Sequence, residues 1–409
     1  METTKLFWQD SHIVNFTAVI VEIQGREDGN WVILNHTAFY PEGGGQPYDN
    51  GHIESIRVNQ VLTADDGTII HRLDGAHDFK AGDAVTCKID WRRRQEMMQQ
   101  HTGQHILSQA FFQLYGAETK GFRITDSATE IDLTLEVQPE EIEQAVVRAQ
   151  DLANSIVFEN REIRIHNVTQ EDALKLPLRK ESFVADCIRV IEIDGYDWSP
   201  CGGTHAKRTG EVGLIAVRSW ERAKRMTRVH FVCGDRALRD YRITNQIVSA
   251  IARKFTVGRE ESEAAVSRMM DENKLLSRRV RHLSEIAVKV EAEELLAATP
   301  TLDGLRIFSQ VFENRDFDEL KLLAHRLVDR DGVIALLATR ERDMARLVFA
   351  RSLNLPENTN PDMNGLMRDA CEKLGGRGGG KRDFAQGGGP NVKELEPVLN
   401  EAQAMVKRP

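Results

Sequence analysis

Over residues 1–90 the chain alternates apolar and polar positions in short runs: NFTAVIVEI (15–23), NWVILNH (30–36), GHIESIRV (51–58), TIIHRL (68–73) and DAVTCKI (83–89). Each reads as a strand, and glycine and aspartate residues punctuate the gaps, so this stretch predicts a small β-barrel or a mixed sheet. Between the second and third runs lies TAFYPEGGGQPYDNG (37–51), whose three consecutive glycines weaken any regular element. It reads either as a hairpin rim or as a glycine-lined wall that lets a ligand approach the backbone.

At Trp91 the period becomes helical, and RRRQEMMQQHTGQHILSQAFFQLYG (92–116) runs without proline. Met97, His101, His105, Leu107 and Phe111 do not share one narrow stripe, but His101 and His105, four apart, stack on one face. A second helix is predicted over 140–158, opened by proline and acids, and IRVIEID (188–194) reads as a strand. Residues 262–297 carry Val266, Met269, Asn273, Leu276, Val280, Leu283, Ala287 and Val290 in three-four spacing, a coiled-coil register with one polar seam residue, Asn273. That helix is expected to form a protruding hairpin or an intermolecular coiled coil; an amphipathic helix packed on its own domain is the alternative.

Beyond residue 299 strands and helices alternate again, and a helix over 363–374 runs into GGRGGGKRDFAQGGG (375–389). This last segment reads as a flexible linker or, with Lys373, Arg377, Lys381 and Arg382 interleaved, as a cradle for phosphates. The fold class is therefore α+β and multidomain: a small barrel lobe over 1–90, an α/β layer over 91–240, a helical, coiled-coil-like segment over 241–298, and a small α/β domain over 299–409 with a glycine-rich loop.

Composition narrows the setting. The 409 residues are 41% hydrophobic and 29% charged, as in a water-soluble globular protein. No stretch approaches the roughly 18 apolar residues of a membrane span, and METTKLFWQDSH lacks the features of a secretory signal, so a cytoplasmic location without membrane partners is expected. The five cysteines (Cys87, Cys187, Cys201, Cys233, Cys371) are too sparse for a disulfide framework and read as thiols.

Two segments concentrate chemistry. His101-Thr-Gly-Gln-His105 and Cys201-Gly-Gly-Thr-His205 supply three imidazoles and one thiolate, a donor set that suits tetrahedral zinc. The spacing is not HExxH, which removes the usual metalloprotease base. Whether such a metal is structural or catalytic depends on an open coordination position. Asp194 and Asp197 stand just upstream, where a carboxylate can orient an imidazole or a water; both also suit a turn.

The net charge of −9 disfavours polyanions only on average. Between Arg218 and Lys254 ten Arg or Lys face three acids, with Trp220 and His230 interleaved. Arg218, Arg222, Lys224, Arg225 and Arg228 make this segment a candidate for RNA-backbone capture, and no DNA partner is expected.

Taken together, TAFYPEGGGQ (37–46), HTGQH (101–105), CGGTH (201–205), RTGEVG (208–213) and GGRGGGKRDFAQGGG (375–389) resemble the long form of the free-standing alanyl-tRNA editing proteins, relatives of the editing and C-terminal regions of alanyl-tRNA synthetase. The resemblance covers nearly the whole chain. It implies one zinc ion per chain on His101, His105, Cys201 and His205, and a catalytic set of Thr37, Gln46, His101 and His105. Thr37 would lie beside the amino-acid side chain, Gln46 in the pocket wall, and Arg228 on the RNA-facing side. Lys381 and Arg382 would belong to a terminal nucleic-acid-binding domain.

The implied activity is zinc-dependent hydrolysis of the ester in tRNA(Ala) mischarged with serine, and with glycine, without ATP-dependent amino-acid activation. The helical segment would support a homodimer. Trp198 and Pro200 stand where many relatives carry smaller or different residues, and with Asn35 and His36 they bear on the pocket mouth. The alternative reading is a non-enzymatic zinc-containing RNA-binding protein.

Overall fold

The structure, a computed structural model, describes residues 3–26, 29–179, 188–341, 343–355 and 359–407; Cys187 lies outside the described residues. The chain opens with a short strand β1 (Thr4–Lys5) and one helical turn α1 (Leu6–Gln9). There follow β2 (Asn15–Arg26), β3 (Gly29–Leu34), β4 (His36–Thr37), β5 (Gly51–Ile53), β6 (Ile56–Thr63), β7 (Ile69–Asp74) and β8 (Ala84–Ile89). Six of these close an antiparallel barrel in the order β2-β3-β7-β6-β5-β8, while β1 pairs with β4 alongside it. Alternation fills the interior: Val85, Cys87 and Ile89 of β8 are buried and the residues between them exposed.

The run GHIESIRV is two strands rather than one. Glu54 takes φ 51°, and Ile53 pairs with Ile56 across a tight turn. The sequence offers no Asn-Gly or Asp-Gly there to mark it. The turn is held from outside instead, since Glu54 N–H donates to Thr86 O at 2.8 Å and Thr86 N–H to Glu54 Oε1 at 2.5 Å.

Next come α2 (Trp91–Tyr115), β9 (Thr119–Ile124), β10 (Thr129–Leu133), α3 (Ile142–Phe158), β11 (Ile163–Val168), α4 (Gln170–Ala173), β12 (Ile188–Ile193), β13 (Asp197–Pro200), β14 (Ile215–Ala223), β15 (Met226–Cys233) and α5 (Asp235–Phe255). They form a sheet β14-β15-β10-β9 and a smaller one β11-β12-β13. Asp90 caps α2 by accepting from Arg93 N–H, and Gly116 ends it at φ 64°.

Helix α2 is buried almost all round, and most of its buried polar side chains are hydrogen-bonded, with His105 Nδ1 and Gln109 Oε1 the exceptions among the described residues. Gln100 donates to Cys233 O at 2.9 Å and accepts from Cys233 N–H and Thr129 Oγ1. Ile106, Leu107 and Phe111 pack with Ala149 and Ala153 of α3 and with Ile131, Val229 and Phe231 of the larger sheet. Toward the barrel, the fully buried Arg94 pairs with Asp49 and donates to Ser11 O and Ala38 O. Such a pair is strongly destabilising to break, so it fixes α2 against the barrel.

The chain divides into two compact units, Met1–Ile251 and Ala252–Pro409. The second holds α6 (Ser262–Ala298), β16 (Arg306–Glu313), α7 (Phe317–Val328), β17 (Val333–Glu341), β18 (Met344–Arg351), α8 (Met363–Lys373), β19 (Arg377–Gly380), β20 (Phe384–Gly389) and α9 (Leu395–Val406). Its sheet runs β16-β17-β18-β20-β19, with β16 and β17 parallel. Strand β17 explains its own unbroken apolar run: Ile334, Leu336 and Ala338 pack under α8 and α9, and Val333, Ala335 and Leu337 under α6 and α7.

The glycine-rich segment is not a linker but the edge hairpin of this sheet. A Cβ at Gly378 or Gly387 would fall 2.6 or 2.4 Å from Cys371 Sγ, so the glycines let α8 lie directly on the strands. Helix α6 is long, as its spacing predicts, but its buried face toward α7 is Val288, Ala292 and Leu296. The predicted seam faces outward: Met269, Leu276, Val280, Leu283 and Val290 are exposed. Among the described residues no helix is long and apolar enough to cross a membrane.

Candidate metal centre

Helix α2 brings His101 and His105 to one face, and the loop after β13 brings Cys201 and His205 against them. The ligand atoms of these four residues all lie within 4.8 Å of one another. His101 Nε2 and His205 Nε2 are each 3.3 Å from Cys201 Sγ. Two glycines make the approach feasible. A Cβ at Gly103, between the histidines, would lie 2.3 Å from Cys233 Sγ, and one at Gly203 would lie 2.1 Å from the His101 ring.

Each imidazole has a polar group behind it. His101 Nδ1 is 2.7 Å from Gln46 Oε1, His205 Nδ1 is 3.3 Å from Thr102 Oγ1, and His105 Nδ1 is 3.4 Å from Asp197 Oδ2. Gln46 is itself fixed: its Nε2 donates to Thr204 Oγ1 at 2.8 Å, and its Oε1 also accepts from Thr204 N–H. At His101 and His205 an Nδ1–H held from outside leaves Nε2 as the inward lone pair, the arrangement metal-ligating histidines adopt, whereas at His105 the Asp197 carboxylate is near but makes no hydrogen bond. Three buried imidazoles and a thiolate thus fit a zinc ion in donor type and number.

Burial pushes the Cys201 thiol up, but the charges of His101 and His205 and hydrogen bonds from His101 and His105 outweigh it, holding the group well below the usual thiol range. Burial also lowers His105, yet Asp197 and Cys201 raise it to about 9, whereas burial prevails at His205 and takes it to about 3. Asp197 is buried between His105 and Arg179, whose Nε donates to it at 3.0 Å. Asp194 lies at the surface, paired with Arg164 at 2.9 Å.

Beside the cluster is a cavity of about 220 Å³ whose lining joins His101, Cys201, Gly202 and Gly203 to barrel-lobe residues that include Trp8, Tyr40, Glu42, Gly43, Gly44 and Thr63. The Trp8 indole N–H donates to Gly202 O at 3.0 Å, and Tyr40 OH to Gly43 O at 2.9 Å. A larger cleft of about 520 Å³ in the second unit, lined by residues such as Glu293, Arg306 and Arg330, has no comparable ligand cluster, so volume alone does not mark the site.

Thr37 is fully buried inside the barrel. Its hydroxyl is 2.8 Å from His71 Nε2 and accepts from Phe39 N–H at 3.1 Å. Asn35 and His36 turn toward β2, accepting from Val19 N–H and reaching Thr17 O respectively, and Trp198 stacks on His166. The basic segment folds as the β14–β15 hairpin and α5. Arg228 pairs with Asp132 at 2.7 Å, Arg218 with Asp240 at 3.1 Å, and Arg222 reaches Val137 O. Lys224 and Arg225 form the hairpin turn, Lys224 at φ 60°. Lys381 and Arg382 sit in the β19–β20 turn of the second unit.

Sequence reasoning passed over Arg189, which is 5% exposed and sits in a strand whose every residue is buried. Its Nη1 donates to Cys201 O at 2.7 Å and Gly203 O at 2.9 Å, and its Nε to Trp8 O at 3.3 Å. A charged residue inside a strand-like run of Ile and Val was the available signal, shared there with Glu192.

Comparison with known proteins follows the same division. Residues 8–93 match the family of class II (A) tRNA synthetases, 188–230 the second additional domain of threonyl and alanyl tRNA synthetases, and 304–408 the DHHA1 domain. The alanyl-tRNA editing protein AlaX-L of Pyrococcus horikoshii is 29% identical over 94% of this chain and 94% of its own length. The alanine–tRNA ligases of Pyrococcus abyssi and Haloquadratum walsbyi are 28% and 30% identical over 99% of this chain, which spans 44% of each ligase. From motifs, fold and these matches, the chain is a homologue of the editing and DHHA1 regions of alanyl-tRNA synthetase.

Proposed function

We propose that the protein hydrolyses the ester of tRNA(Ala) mischarged with serine, and also with glycine, with one zinc ion on His101, His105, Cys201 and His205. The observation that carries this reading is the ligand cluster opening on a cavity with a glycine-rich wall. Bound there, zinc supplies Lewis acidity and positive charge. The protein supplies orientation: Gln46 holds His101, Asp197 stands behind His105, and Trp8 ties the Cys201–Gly203 loop to the cavity mouth.

Negative charge develops on the ester oxygen as the carbonyl is attacked, and a backbone N–H aimed at it lowers the barrier. Gly43 and Gln46 close the turn with each other, and Gly44 between them lies exposed on the cavity wall as the donor for that role. Thr37 donates its hydroxyl hydrogen to His71 and accepts from Phe39, which leaves one acceptor position on a fully buried hydroxyl behind the cavity lining; in this reading the hydroxyl of serine reaches it from within the barrel. Alanine lacks that hydroxyl, which supports discrimination against the correct product.

In this reading tRNA is held by Arg218, Arg222, Lys224, Arg225 and Arg228 in the first unit and by Lys381 and Arg382 in the second. The outward seam of α6 pairs two copies, and the protein works in the cytoplasm. Four protein ligands also complete a closed structural site, which favours the second reading, a non-enzymatic zinc-containing RNA-binding protein. A panel of seryl-, glycyl- and alanyl-tRNA(Ala) separates the two. Loss of the mischarged esters that stops on chelation supports the hydrolase, and stable esters with intact tRNA binding support the second reading.

A further inference from the structure

The wall of the cavity beside the metal centre carries one carboxylate, Glu42. Among the described residues its side chain makes no hydrogen bond or ion pair; Lys5 lines the same cavity, with its ammonium 4.5 Å over the Trp8 ring. The backbone that carries Glu42 is fixed. Its N–H donates to Val61 O at 3.1 Å, Gly43 and Gln46 exchange hydrogen bonds of 3.1 and 3.0 Å, and Tyr40 OH holds Gly43 O. The carboxylate therefore stands on a hydrogen-bonded turn that lines the same space as His101 and Cys201.

An α-aminoacyl ester brings two features to such a space. Its carbonyl must reach the metal centre, and one carbon away it carries an ammonium group that needs an anionic partner when it leaves water. We propose that Glu42 receives the α-ammonium of the aminoacyl group and thereby turns the ester carbonyl toward the metal centre. The ligand class is an α-amino ester of a terminal ribose, and the inference rests on the hydrolase reading above. Glu42 is a recognition residue in this scheme, with no bond made or broken at its carboxylate. A charge-assisted hydrogen bond also fixes direction, so it serves aim as well as affinity.

The test compares wild type with Glu42→Gln on seryl-tRNA(Ala) and on its deaminated counterpart, in which a hydroxyl replaces the ammonium. Glu42 is exposed, so the variant keeps the fold, and its zinc content is expected to match wild type. On the amino ester kcat/KM falls about ten- to hundredfold, the worth of one hydrogen bond to a charged group. On the deaminated ester the two proteins cleave alike. An equal loss on both esters overturns the assignment, because Glu42 then acts on the water or the ester itself. Wild-type cleavage matched by Glu42→Gln on both esters overturns it as well, leaving the hydrolase reading intact. Wild-type protein that cleaves neither ester overturns both.

Discussion

The guanidinium of Arg189 donates to the carbonyl oxygen of Cys201 at 2.7 Å and through the same nitrogen to that of Gly203 at 2.9 Å, so a buried cation shapes the loop that presents the thiolate. No carboxylate accepts from Arg189 among the described hydrogen bonds; its partners are three carbonyls. Burial holds its pKa below the ordinary arginine value, and the nearby Cys201 and Tyr40 oppose that shift without cancelling it.

Replacing Arg189 with Met leaves those carbonyls without a buried donor. At about 1–3 kcal/mol for each unsatisfied group that stays dry, we expect a loss of roughly 2–4 kcal/mol once the loop relaxes. Urea unfolding measures that loss, and metal analysis is expected to show reduced zinc occupancy. Arg189→Lys keeps the charge but not the fork, and is expected to restore part of both. Wild-type stability and full zinc in Arg189→Met would show that β-pairing alone places the loop.

The ligand set itself is tested at Cys201. Cys201→Ala removes the one sulfur donor, and a site reduced to three imidazoles is expected to lose most of its zinc on dialysis while the barrel and the second unit stay folded. In a cobalt-substituted protein the sulfur-to-metal charge-transfer band disappears with it. Full zinc occupancy in the variant would mean that the cluster is not the site.

Much of this was legible in the sequence. The two motifs named the four clustered residues because imidazole and thiolate are few and the spacings are short. The barrel was readable because its strands alternate. What escaped were features decided by distant neighbours. Glu54 turns because Thr86 holds it, Gly378 is needed because Cys371 packs there, and Arg189 is buried because three carbonyls converge on it. The seam of α6 shows the reverse case, since its three-four spacing is real but the face buried against α7 is another one.

That outward seam leads to an oligomer prediction. If it pairs two copies, Leu276→Glu with Leu283→Glu places charges in the middle of the seam and is expected to yield a monomer by sedimentation at concentrations where wild type is dimeric. Asn273→Leu is expected to strengthen association while relaxing its register, as polar seam residues specify pairing at a cost in stability. All three positions are exposed on α6, so the second unit stays folded. A wild-type monomer across the concentration range would leave α6 an intrachain element.

Amino-acid choice is expected to divide between two hydroxyls. Thr63 lines the cavity, while Thr37 reaches the substrate from within the barrel if it reads serine. Thr37→Val is then expected to lower kcat/KM for seryl-tRNA(Ala) about tenfold or more and to leave glycyl-tRNA(Ala) nearly unchanged, because only serine offers a hydroxyl to pair. If Thr63→Val produces that pattern and Thr37→Val does not, the reader is the residue on the cavity wall.

His71 makes the barrel's stability depend on pH. It is fully buried, and burial lowers its pKa to about 4, with only a hydrogen bond to Val32 O opposing the shift. Its Nδ1–H is committed to Val32 O, so Nε2 is the acceptor for the Thr37 hydroxyl, and protonation would replace that acceptor with a donor. In the unfolded chain the ring takes up a proton near its ordinary pKa of about 6.5. Below that pH the unfolded state binds more protons than the folded one, so stability falls as pH falls, the loss growing until about pH 4. The full difference corresponds to about 3 kcal/mol, of which roughly half is expected by pH 5.5. His71→Leu removes this contribution, so the difference between the urea-unfolding curves of the two proteins isolates it from other titrating groups. A difference that does not change between pH 7.5 and 5 would show that His71 stays accessible to protons in the folded barrel.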